Sequence, residues 1–316
     1  MVFELERGSA GEECGRINVT IDRNNQGMVL RDFLRKELHV SHRMLSAIKY
    51  KGGHLRVDGT DRTVRHVLQE GEVLSVVFPP ETPSGFLRGE PMPLDIVYED
   101  DFFLVINKPA GMPSIPSSRY PSGTLANGVL AYFESKHLAS TVHIVNRLDR
   151  NTSGLLLVAK NRFSHERFFK MQKRRELQRR YLAVVGGRLD DREGVIDAPI
   201  GRRAGSIIER CVDWQTGKRA LTSYRVLDHF ADATLIVIRL QTGRTHQIRV
   251  HFASIGHPLL GDELYGGSTA RIGRQALHSF ELNFIHPFTD APMRLHACCP
   301  DDFASLLRRK PILDAI

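Results

Sequence analysis

An α+β fold is what this sequence predicts: a mixed, largely antiparallel sheet with flanking helices, preceded by a small α/β module. Two observations carry the prediction. Four strand-like runs, Tyr181–Val185, 194–200, 220–227 and 234–240, follow one another without intervening helices, which argues against repeated βαβ units. A proline-rich break, Pro79-Pro80-Glu81-Thr82-Pro83, separates two regions of different pattern.

The order of elements follows from local chemistry. Residues 1–17 are polar and glycine-rich without an apolar period, which predicts a loose tail, although Ile17–Ile21 alternates as a short strand does. A compact module is expected over 18–79. Leu30, Phe33, Leu34 and Leu38 share one helical face, and Ser41 caps a second helix carrying Met44, Leu45 and Ile48. His54–Val57 runs as a strand into an Asp58-Gly59 turn, and Val73–Phe78 closes the module. Residues 80–94 read as a linker by composition, with Pro91 and Pro93 extending the break. A larger domain is expected over 95–316. It opens with strands at Ile96–Tyr98 and Phe102–Ile106, and Asn107–Pro113 reads as a loop because Pro109 and Pro113 cannot continue a central strand. Helices are expected from Thr124 and over Ser164–Leu177, with a buried strand, Leu155–Ala159, between them.

Composition bounds the function. Over 316 residues, 41% hydrophobic and 25% charged content are those of an ordinary globular chain. The net charge of +8 favours a polyanionic partner such as nucleic acid. Apolar runs are too short to span a bilayer, and the N-terminus lacks a signal-peptide pattern, so no membrane partner is expected and the cytoplasm is the default setting. The four cysteines form no C-x-x-C pair. His246, His251 and His257 lack metal-ligand spacing, so no metal is expected. No phosphate-binding glycine loop, dinucleotide fingerprint or serine-nucleophile elbow occurs, and no cofactor is expected.

Two charged loops follow or precede core strands. In Asn146-Arg147-Leu148-Asp149-Arg150-Asn151-Thr152-Ser153-Gly154, one carboxylate sits between two arginines, which bias it to stay ionised. An ordinary structural Asp–Arg pair would have the same appearance. In Thr242-Gly243-Arg244-Thr245-His246-Gln247-Ile248-Arg249, Gly243 permits a bend and Thr245 is a plausible N-cap, so Arg244 should sit at a helix mouth fit for an anion. That anion could be a phosphate or Asp149.

These stretches together resemble the RluA-type pseudouridine synthase family. The resemblance rests on Arg147-Leu148-Asp149 through Leu157 and on Thr242–Arg249. It continues through Gly256-His257-Pro258, Gly261-Asp262, Tyr265-Gly266 and the opening Asn107-Lys108-Pro109-Ala110-Gly111. The region 18–79 resembles the alpha-L RNA-binding module, with Arg43, Lys49, Lys51 and Arg56 as its expected RNA face. The resemblance implies isomerisation of uridine to pseudouridine in structured RNA, ribosomal or transfer, without cofactor or metal. It implies Asp149 as nucleophile and Arg244 as its partner. Tyr181 would be the ring against the uracil and a proton acceptor, Arg147 would fill the space left by the flipped base, and Leu277 would form an apolar wall. Lys173–Arg175, Arg179-Arg180 and Arg202-Arg203 are candidates for phosphate contact. Asn146 stands where the family commonly has histidine. The competing functions are a catalytically inactive RNA-binding or ribosome-associated protein of the same fold, and a glycosidase. The glycosidase would need two carboxylates at one bond, and the motif loops offer one.

Overall fold

The computed structural model describes residues 3–4 and 15–307. Its first unit is a five-stranded antiparallel sheet. The strands are β1 (Phe3–Glu4), β2 (Arg16–Thr20), β3 (His54–Val57), β4 (Thr60–Asp61) and β5 (Val73–Val77), in the order β1-β2-β5-β3-β4. Helices α1 (Leu30–Lys36) and α2 (His42–Tyr50) complete it, and the Ser41 hydroxyl accepts from the Met44 amide as α2's cap. The tail expectation needs correcting at Phe3–Glu4, which pairs with β2; the remainder up to residue 14 lies outside the described residues.

The second unit is built on a ten-stranded sheet. Its chain order is β6 (Ile96–Glu99), β7 (Phe103–Lys108), α3 (Leu125–Ser135), β8 (His143–Ile144), β9 (Ser153–Ala159), α4 (Arg162–Arg174), β10 (Gln178–Gly186) and β11 (Glu193–Asp197). A separate hairpin, β12 (Ile200–Arg202) and β13 (Arg210–Val212), follows. Then come β14 (Leu221–His229), β15 (Ala233–Leu240), α5 (Gln247–Ser254), β16 (Leu277–Ile285), β17 (Pro292–His296) and α6 (Asp301–Ala304). The main path runs β11-β14-β15-β10-β16-β9-β7-β6, with β8 on β9 and β17 on β16. β9–β16 is its parallel pair, and the other ladders are antiparallel. This is the predicted α+β architecture. Asn107 and Lys108 extend β7 instead of belonging to the following loop.

β9 shows why the sheet is central. All seven of its residues are buried, because both faces are covered. Leu155, Leu157 and Ala159 join the core that holds α4 and the N-terminal module, whereas Leu156 and Val158 join the core under α3 and α5. The module therefore packs on the sheet unit. Phe78 stacks on Phe163 at 4.8 Å, and Arg167 and Lys170 of α4 donate to the carbonyls of Leu38 and His39, each at 3.0 Å. The segment between the units is also fastened. Glu81 accepts from the Arg162 amide and bonds His143, and the Glu90 amide donates to the Asn127 carbonyl.

One glycine fixes how β9 meets β16. Gly154 has φ +108, and a Cβ there would run into the Ser279 backbone. The adjacent Ser153 hydroxyl donates to His278 Nδ1 at 2.9 Å, while His278 Nε2 donates to the Ala297 carbonyl at 3.2 Å. Burial pushes His278 down to about 4, in keeping with that neutral tautomer. Among the described residues no helix is long and apolar enough to cross a membrane.

Candidate active site

The loop before β9, the edge of β10, the β15–α5 loop and the start of β16 converge on one cleft of about 750 Å³. Asp149 supplies the one carboxylate of its lining, against seven arginine and lysine side chains. Arg147, Tyr181, Arg244 and Leu277 line the same cleft, so the structure brings together the five residues expected there from the sequence. Arg43, Lys49, Lys51 and Arg56 lie apart on the module. The first three are exposed, and Arg56 faces Asp61 across a hairpin at 3.4 Å.

Four contacts hold the Asp149 loop. Buried Asn146 accepts from the Leu157 amide at 2.8 Å, tying the loop to β9. Ser114 Oγ donates to the Leu148 carbonyl at 2.7 Å. The Thr152 amide donates back to the Asp149 carbonyl at 3.0 Å, closing the turn. Fully buried Lys108 donates to the carbonyls of Pro109, Met112 and Arg150 at 2.7, 2.9 and 3.1 Å. Three acceptors match the three N–H donors of an ammonium. Burial pushes Lys108 down to about 7, with the Asp149 charge acting in the opposite direction.

The partner of Asp149 differs from expectation. Arg249 Nη1 lies 3.3 Å from Asp149 Oδ2, whereas Arg244 is exposed and donates its Nε to the Arg219 carbonyl at 3.0 Å. The cause is local backbone. His246, not Thr245, is the helix N-cap, and its left-handed conformation, φ 57, turns the chain between Arg244 and α5. Gln247 then staples the loop. Its Oε1 accepts from the Thr242 hydroxyl and the Arg244 amide, and its Nε2 donates to the Leu221 carbonyl at 3.0 Å.

Arg249 is itself anchored. Its Nε and Nη2 form a two-pronged pair with buried Asp262 at 2.7 and 2.8 Å, and its guanidinium lies 4.9 Å from the Tyr265 ring. The Asp262 and Asp149 charges raise Arg249 despite its burial. The Tyr265 hydroxyl accepts from the Arg210 amide and donates to His246 Nδ1 at 2.8 Å, and burial lowers His246. Sequence reasoning gave no role to Lys108 or Asp262. The available signals were a lysine continuing an apolar strand into Pro109, and an acid directly after Gly261. Tyr181 is buried, and burial raises its phenol above the ordinary value. Among the described residues no three His, Cys, Asp or Glu side chains come together as a metal cage.

Comparison with known proteins agrees with this geometry. Residues 102–254 match the RNA pseudouridylate synthase family model. The uncharacterized RNA pseudouridine synthase YjbO of Bacillus subtilis is 51% identical over 272 residues, covering 86% of this chain and 96% of that protein. Ribosomal large subunit pseudouridine synthase D of Nitrosomonas europaea is 40% identical over 261 residues, covering 80% of this chain and 75% of its own. The solved structure of human RNA pseudouridylate synthase domain containing 1 superposes with a TM-score of 0.54 at 30% identity, covering 72% of this chain and 89% of that one. The cleft, its lone carboxylate and these relatives together place the chain in the RluA-type RNA pseudouridine synthase family, enzymes that isomerise uridine in RNA to pseudouridine.

Proposed function

We propose that this enzyme acts on uridine in ribosomal RNA, with Asp149 as its nucleophile. One observation carries the assignment of Asp149: it is the single acid in a cleft that also holds seven arginine and lysine side chains. The choice of ribosomal RNA is supported by the name of the 40%-identical relative. In the reaction the bond between N1 and C1′ breaks, the uracil turns, and C5 bonds to C1′. C5 gives up its proton and N1 ends with one, so the product is an isomer and no redox partner is consumed. The Asp149 carboxylate forms a transient covalent bond to the nucleotide while the N1–C1′ bond is broken, and that bond is released again as C5 bonds to C1′, freeing the carboxylate. Arg249 orients that carboxylate, as its 3.3 Å contact allows.

The target base must leave its stack to enter the cleft. Exposed Arg147 at the mouth takes the vacated space, since a guanidinium both stacks on bases and binds phosphate. Leu277 and Tyr181 form the wall against the uracil. The raised pKa of Tyr181 favours a protonated ring packed on the base over a role as proton acceptor. The test is Asp149→Asn, assayed on ribosomal RNA from cells lacking this protein. Pseudouridine formation should be lost while RNA binding and thermal stability stay near wild type. Undiminished product from the purified variant would sink the nucleophile assignment, and an inert wild-type protein would sink the substrate.

A further inference from the structure

The strand β10 presents two consecutive arginines with opposite fates. Arg180 lies 3.2 Å from Glu281, a fully buried carboxylate that also pairs with Arg294 at 2.9 Å. Its charge is thus used inside the fold. Arg179 points to the other face of the strand, the cleft face it shares with Tyr181. Among the described residues the Arg179 side chain has no hydrogen bond or ion pair, and its Nε is buried without a partner. A buried, unpaired donor is unfavourable in the free protein, and a ligand that brings an acceptor to it relieves that cost.

The room for that group is also specific. Gly243, in the β15–α5 loop, lies against Arg179, and a Cβ there would stand 3.2 Å from its Nη1. Three other cleft cations are already engaged. Arg150 donates to the Gly111 carbonyl and the Tyr120 hydroxyl, Arg175 to Gln241, and Arg249 to two aspartates. Arg179 and Tyr181 are two residues apart on one strand, roughly 6.6 Å along it. That separation is on the scale of a single nucleotide. We propose that Arg179, in the notch left by Gly243, binds the phosphodiester of the flipped nucleotide whose base packs on Tyr181. The proposal rests on the cleft being the RNA site, and it separates Arg179 from Arg180, which sequence alone left equivalent.

The experiment measures binding of a fluorescein-labelled RNA hairpin with a uridine-containing loop across a salt series, beside thermal melts. Arg179→Met should weaken binding about tenfold and reduce the slope of log Kd against log salt by about 0.7–1, one phosphate contact. Its melting temperature should hold or rise, because the unpaired donor is gone. Arg179→Lys should restore the slope. Gly243→Ala should weaken binding without changing the melting temperature. Arg180→Met should do the reverse, lowering the melting temperature with the slope unchanged. A wild-type slope in Arg179→Met, or a melting temperature that falls with it as for Arg180→Met, overturns the proposal. Because the readout is binding, a wild-type protein that binds RNA with the full slope yet makes no pseudouridine counts against the isomerase reading alone.

Discussion

Arg249 sits between two carboxylates and treats them unequally. It gives two short, buried bonds to Asp262 and one longer contact to half-open Asp149. Asp262 therefore sets the position of the guanidinium, and the guanidinium sets that of Asp149. Lysine at 249 would keep the charge but could not hold both acids in that fork. Arg249→Lys should lower kcat about 100-fold with KM little changed. Arg244→Lys should act mainly on KM, since Arg244 lies at the rim. Steady-state kinetics on one RNA substrate checks both, and a pure KM effect at Arg249 would contradict its orienting role.

At the element scale the parallel β9–β16 contact carries the site, because it brings Leu277 beside the Asp149 loop. Gly154→Ala should destabilise the protein by about 3 kcal/mol or more, through strain at a positive φ combined with collision on the Ser279 backbone. A near-wild-type urea midpoint would contradict this. His278 at the same junction makes stability depend on pH. Its folded value of about 4 lies below the ordinary 6.5, so between those values the unfolded chain takes a proton that the folded protein refuses. The stabilisation is present above 6.5 and is lost as pH falls toward 4, amounting to on the order of 2 kcal/mol at pH 5. Urea unfolding at pH 7.5 and 5 should show that drop, and His278→Gln should flatten it.

For the whole molecule, the N-terminal module and the sheet unit share one apolar core. Ile17, Phe33 and Leu45 belong to the same buried cluster as Phe103, Leu157 and Phe168. The module should then unfold together with the sheet unit. Hydrogen exchange should give β5 and β9 amides the same opening free energy, and Phe163→Ala should lower both by about 3–5 kcal/mol. Protected β9 amides beside freely exchanging β5 amides would contradict a shared core. Docking also fixes Arg43, Lys49 and Lys51 relative to the cleft.

Periodicity was enough for β9, α2 and α3, because apolar spacing and the caps at Ser41 and Thr124 are local chemistry. The lone acid in a basic loop was equally legible at Asp149, and the composition of 79–83 marked the boundary between units. That same composition is silent on whether the segment packs, since proline records a break in regular structure and not contact with a neighbour, and Glu81 and Glu90 supply such contacts. What sequence could not decide was which arginine meets Asp149. Arg244 and Arg249 are equivalent in a motif, and the left-handed turn at His246 and the buried acid Asp262 select between them. Arg179 and Arg180 were likewise equal until the strand's two faces were assigned, one to Glu281 and the other to the cleft. Local chemistry determined the elements and the acid. Only tertiary contacts decided which charges are already paired and which stay open to the cleft, because pairing depends on what the fold carries to within a few ångströms.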